Sequence, residues 1–153
     1  MPVISSVNAL YGVLKNGTSD SRKAWFAVGN YKRQANEVGG HRTTSPEHVA
    51  AKMKELITKY NHKNTRLKNY WISITSLNPS IPFQDGNGRI GRLILFKECL
   101  RNNIVPFIIT DNIKMFYYKG LNEWPHNHER LIDTCLSAQD QMKAVLDYFK
   151  IKY

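Results

Sequence analysis

The stretch Ile81–Arg92, IPFQDGNGRIGR, limits what this chain can fold into more than any other. An Asp-Gly-Asn-Gly turn stands directly ahead of Arg89 and Arg92 and of the apolar run Leu93, Ile94, Leu95, Phe96. That is a loop passing into a helix. Gly86 and Gly88 reach backbone angles closed to other residues and Asn87 tolerates the left-handed region, so successive N–H groups can face one concavity that suits an anion. With a helix opening near Gly88, its free N–H groups and dipole face the same concavity. Arginines at i and i+3 then share the first turn, where two guanidinium forks can grip phosphate oxygens. Asp85 is a hard carboxylate suited to the Mg²⁺ that accompanies a nucleoside di- or triphosphate. Gly86, Gly88 and Gly91 also spell GxGxxG, but that fingerprint needs a preceding strand, and Asn78-Pro79-Ser80-Ile81-Pro82 is not strand sequence. A hairpin turn is disfavoured by the helical periodicity that follows.

Pro82–Arg92 resembles the signature of Fic-domain proteins, HPFx[DE]GNGRxxR, and agrees at every motif position but the first, where Ile81 replaces histidine. The resemblance implies an all-α, Fic-fold helical bundle with a small β-hairpin flap beside the nucleotide loop. It implies AMP transfer from Mg-ATP to a Ser, Thr or Tyr hydroxyl of a target protein. By the same resemblance, Asp85 is the metal ligand, Gly86, Asn87 and Gly88 cradle the α- and β-phosphates, Arg89 neutralises phosphate charge and Arg92 reaches the γ-phosphate. Asn87 and Arg89 count among the catalytic positions, with Ile81 where the family has its general base. Positioned acid–base catalysis typically contributes about 10²–10⁴-fold, so impaired transfer is expected. His41 is the one histidine placed to overhang the site. Gly88, where the Doc-like kinases of the family carry lysine, favours the AMP-transfer orientation.

GNYKRQANEVGG resembles the family's target-binding flap, with Tyr31, Lys32, Glu37, Val38, Gly39 and Gly40 as its residues and Tyr31–Arg33 and Glu37–Val38 as short strands. Tyr117, Tyr118 and Leu121 match a Tyr-Tyr-x-x-Leu element near the adenine. Adjacent helical tyrosines face about 100° apart, so at most one touches the base. The family's inhibitory pattern, [ST]xxxE[GN], is approached only by Thr43–His48, TTSPEH, which fails the last position. An inhibitory helix is therefore expected from an antitoxin-like partner or from a preceding segment. The run ISITSLNPSI ahead of the loop departs from the family pattern too.

The remaining elements read as helices. Val3, Ile4, Val7, Leu10 and Leu14 give one ending at Asn16-Gly17. Thr44, Pro46 and Glu47 start a second, with Val49, Met53, Leu56, Ile57 and Tyr60 as its apolar stripe. Leu67–Leu77 forms a third, stopping before Pro79. Gly88–Asn102, a helix capped by Asp111 and running to Trp124, and Glu129–Tyr153 complete the set, with Ile104–Ile109 as a connector because of Pro106. At 153 residues and 42% hydrophobic content, one domain is the simplest expectation. The net charge of +10 is dispersed rather than clustered, which makes a nucleic-acid-binding role the weakest alternative, behind a catalytically inactive nucleotide-binding or interaction module. Cys99 and Cys135 read as reduced core thiols, and no apolar run is long enough to span a membrane, so the cytoplasm is the expected compartment.

Overall fold

Val7 and Tyr11, four residues apart, put one buried stripe on helix α1, Val3–Lys15. The helix stops where the carbonyl of Lys15 accepts both the N–H of Thr18 (3.2 Å) and its hydroxyl (2.8 Å). A single 3-10 turn, Asp20–Arg22, follows, and Phe26 and Ala27 then enter the core. The computed structural model describes residues 3–38, 41–62 and 81–153, and the chain divides into two compact units, Met1–Leu93 and Ile94–Tyr153.

In the first unit, strands β1, Glu37–Val38, and β2, His41–Arg42, pair antiparallel with Glu37 opposite Arg42 and Val38 opposite His41. This corrects the expected pairing: Tyr31–Arg33 is not a strand. Its main chain is spent elsewhere, the N–H of Lys32 donating to the carbonyl of Pro82 at 2.9 Å. Two-residue strands have little stability of their own, so the hairpin depends on its stem. There Thr43 N–H donates to Asn36 O, 3.3 Å. Helix α2 is Pro46–His62, with proline at its first position; it packs with α1, and its Val49 and Met53 are buried. The expected helix Leu67–Leu77 lies outside the described residues.

Helix α3, Asn87–Arg101, begins in the first unit and ends in the second. Asn103, left-handed at φ 54°, terminates it, and the N–H of Ile104 donates to Cys99 O at 2.9 Å. Residues 104–110 form the irregular connector expected around Pro106, tied down by Gln139 Nε2 donating to Val105 O at 2.6 Å. Helix α4 is Lys114–Glu123 and α5 is Glu129–Tyr148. Asp111 does not cap α4: Ile113 holds the cap position with helical angles, and a turn over residues 111–113 separates the carboxylate from it. Helix α5 stops short of Tyr153 because Lys150 turns left-handed (φ 55°) and Ile151 N–H donates to Leu146 O at 2.9 Å. Cys99 and Cys135 are buried free thiols, and burial pushes both above the ordinary thiol range. No helix among the described residues is long and apolar enough to cross a membrane.

Helices α4 and α5 pack through Gly120, where an added Cβ would lie 2.8 Å from Leu131 Cα and 2.9 Å from its nitrogen. Main-chain atoms cannot step aside as a side chain can, so Gly120→Ala is expected to destabilise the second unit by about 1–3 kcal/mol. Urea unfolding followed by far-UV circular dichroism measures this; an unchanged midpoint would mean that the helices separate at no cost.

Candidate functional site

The loop between Ile81 and α3 is fastened at its back. Phe83 is fully buried, its ring stacked on Tyr11 at 3.9 Å and 13° and lying 6.0 Å from Tyr31. The Asn87 side chain closes residues 83–87 on themselves: its Oδ1 accepts from Phe83 N–H and its Nδ2 donates to Phe83 O, both at 2.8 Å. From the hairpin stem, Asn36 Nδ2 reaches the carbonyls of Phe83 and Gln84, each at 3.3 Å.

With the back held, the front opens into a helix. Gly86 turns left-handed (φ 78°), and Ile90 N–H donates to its carbonyl at 3.0 Å, the first bond of α3. The helix starts at Asn87, one residue ahead of the expected Gly88. The N–H groups of Asn87, Gly88 and Arg89 have no carbonyl one turn below them. Arg92 folds back across the same turn: a Cβ on Gly88 would lie 3.3 Å from its guanidinium. The assembly offers an anion three N–H groups, a helix dipole and two arginines.

Beside it sits a chain of ion pairs. Arg89 donates to Asp85 Oδ2 at 2.9 Å, and both side chains are about half exposed. Lys15, from the end of α1, binds the same Oδ2 and also Asp20 at 3.1 Å, while Asp20 pairs with Lys23 at 2.8 Å. Burial alone would push the Asp85 carboxyl up, but the hydrogen bonds from Lys15 and the Gly86 N–H and the charges of Lys15 and Arg89 outweigh it, leaving the group below its ordinary 3.8. Hydrogen bonds from Lys23 and Lys15 lower Asp20 likewise. Burial, with Asp85 and Asp20 close by, raises the Tyr11 hydroxyl to about 12, so it stays protonated and is no base. Among the described residues no three His, Cys, Asp or Glu side chains cluster as a metal cage. Asp85 as the sole protein ligand still fits Mg²⁺, which commonly takes one or two carboxylates and completes its shell with phosphate and water.

The other predicted residues are distributed as follows. Ile81 is buried (4% exposed) in a left-handed conformation, φ 30°. Tyr31 is half-buried against Phe83 rather than in the hairpin. Lys32, expected to face a target, is buried instead: its Nζ donates to Asn36 Oδ1 (2.7 Å) and Thr43 Oγ1 (2.6 Å), bracing the stem, and burial lowers its pKa. Asn87, read as a nucleotide contact, spends one Nδ2 hydrogen and one Oδ1 lone pair on Phe83, which leaves its main-chain N–H and the second Nδ2 hydrogen for a ligand. Glu37 and Val38 are exposed on β1, Glu37 3.6 Å from Arg42, and His41 stands opposite Val38 on β2. Gly39 and Gly40 lie outside the described residues. Tyr117 is buried and Tyr118 exposed on α4, diverging as neighbours on a helix must, and both belong to the second unit. The sequence reading missed Lys15, although Val7, Tyr11 and Lys15 recur every four residues and so place a lysine on the buried stripe.

A helix-capped glycine loop braced by a small hairpin among helices is the arrangement of a Fic-type fold. The Fic/DOC family model matches residues 4–98, more than half of the chain, and the chain belongs to that family. The structure is similar to Fic-1 from C. elegans, with a TM-score of 0.72 and 19% identity over 94% of this chain and 43% of that one. It is similar also to a Fic-domain-containing signalling protein from Bacteroides thetaiotaomicron, with a TM-score of 0.62 and 19% identity over 92% of this chain and 65% of that one. The chain spans less than two thirds of the length of either. No curated protein matches it in sequence.

The depressed Asp85 carboxyl contributes stability that is fully present above its ordinary 3.8 and lost as pH falls through the lower folded value. Wild type is therefore expected to melt above Asp85→Asn at neutral pH, with the gap closing in acid. Melting temperatures over about pH 2–7 check this, and a gap indifferent to acid would mean that the charge on Asp85 stabilises nothing.

Proposed function

We propose that this chain binds Mg-ATP at the loop Asp85–Arg92 and is a Fic-type protein adenylyltransferase whose transfer step is impaired by Ile81. The observation that carries the reading is the opening of α3 on the carbonyl of Gly86, with no acceptor among the described residues for the N–H groups of Asn87, Gly88 and Arg89 and with Arg89 and Arg92 over the same turn. Gly86, Gly88 and the Asn87 N–H cradle the α- and β-phosphates, Arg89 and Arg92 neutralise the chain, and Asp85 holds the metal. Mg²⁺ bound there withdraws charge from the phosphate oxygens. In the reaction a target hydroxyl oxygen bonds to the α-phosphorus, the bond to the bridging oxygen breaks, pyrophosphate leaves, and the hydroxyl proton passes to water, because Ile81 offers no side-chain acceptor. The exposed residues Glu37 and Val38 and the strand pair they belong to would position the target's main chain, and an antitoxin-like protein remains a candidate inhibitor.

The backbone at residue 81 supports an adenylyltransferase ancestry for the site. A β-branched residue at φ 30° is an outlier, whereas histidine is enriched several-fold among non-glycine residues in that region. Holding isoleucine there costs on the order of 1–3 kcal/mol. The second reading, a nucleotide-binding module without transfer, is favoured by the same residue's burial, which leaves an alkyl group with no proton to move.

Transfer from α-labelled ATP to lysate proteins and to the chain itself is expected to be weak in wild type and to rise about 10²–10⁴-fold in Ile81→His. Ile81→His/Arg92→Ala should lose it again. Mg-ATP binding without transfer in every variant would favour the binding module, and absence of nucleotide binding by calorimetry would overturn both readings.

A further inference from the structure

Lys15 is the most buried charged residue among those described, its side chain 3% exposed. An ammonium so placed needs compensation. It has Asp20 at 3.1 Å, Asp85 on its other side, the Phe26 ring at 5.2 Å and the negative end of α1 around it. Its stem supports the anion loop directly, since a Cβ on Gly86 would meet Lys15 Cε at 3.4 Å. Arg89 is different: it reaches the same Asp85 oxygen from a half-exposed position and can leave it for a phosphate.

The balance of charge here is unfavourable to a free divalent cation. Lys15, Lys23 and Arg89 face only Asp20 and Asp85 in this chain of pairs, and Arg92 stands on the next turn. Both cations on Asp85 take Oδ2, and no described side chain donates to Oδ1. The Gly86 N–H binds this carboxylate too, so a metal would share it with three donors, and the positive charge beside it repels one. A polyphosphate changes the sign: it draws Arg89 away and adds several negative charges, while Lys15 stays where Asp20 holds it.

We propose that Lys15 is a resident counter-ion of the metal site, clamping Asp85 so that a divalent metal is accepted only together with the nucleotide. The inference rests on the Mg-nucleotide reading above and adds an order of assembly to it.

Mn²⁺ binding followed by the paramagnetic resonance of the free ion, with and without ATP, tests it. Wild type should bind Mn²⁺ weakly alone and strongly with ATP. Removing a unit charge this close to the metal should raise nucleotide-free Mn²⁺ affinity at least about tenfold in Lys15→Met. Asp20→Asn, which leaves Lys15 to bear on Asp85 alone, should lower Mn²⁺ affinity in the presence of ATP. A lysine that merely supports the fold would change the melting temperature without raising metal affinity. Equal or weaker Mn²⁺ binding by Lys15→Met, or wild type binding Mn²⁺ equally well without ATP, would overturn the inference. If wild type binds no ATP but Lys15→Met still gains Mn²⁺, the nucleotide reading fails while the counter-ion role of Lys15 stands; if ATP binds and the gain is missing, the counter-ion fails alone.

Discussion

Two hydrogen bonds between one carboxamide and one residue's main chain hold the site in shape. Asn87 offers Phe83 an acceptor and a donor at once from one planar primary amide. The bonds span a segment containing Gly86, and glycine loses more conformational freedom on ordering than any other residue. A segment of that kind needs fastening from outside its own backbone. Phe83 supplies the other half, burying its ring on Tyr11 while its N–H and C=O remain available to Asn87. The left-handed turn at Gly86, the start of α3 and the direction of its first N–H groups follow from that closure.

The electrostatics depend on a residue remote in sequence. Lys15 ends α1, 70 positions before Asp85, and reaches it because Val7 and Tyr11 turn the same helical face into the core that receives Phe83. Packing and charge are therefore one arrangement: the ring that seats the loop and the ammonium that neutralises it come from successive turns of one helix. The hairpin stem is a second brace, since Lys32 and Asn36 join Thr43 to the carbonyls of Phe83 and Gln84. A force on the hairpin is transmitted to the loop through hydrogen bonds to its main chain.

What could be read from the sequence was what local chemistry determines. Gly-Asn-Gly before an apolar run gave the loop and a helix start displaced by one residue, and Pro106 and Pro46 marked a connector and a helix's first turn. The strand expected at Tyr31–Arg33 does not form because Pro82 O takes the Lys32 N–H, and that acceptor is fifty residues away and has no local signature. The burial of Lys32 and the bonds from Asn87 to Phe83 depend on partners that no local sequence pattern announces. Asp111 lost its cap because a turn intervened before α4. Lys15 was legible in principle, as a charge on an apolar stripe, but its partners were not.

Ile81 shows why binding and chemistry can part company in this fold. None of the bonds that shape the loop uses the side chain at position 81: they run through Pro82 O, Phe83 N and O, Gln84 O and Gly86 O. A buried alkyl group in place of an imidazole there removes none of the loop's supports. The cost falls on the backbone, held at φ 30°. Every support of the loop therefore survives a change at position 81, whereas loss of Asn87 or Phe83 would remove the loop itself.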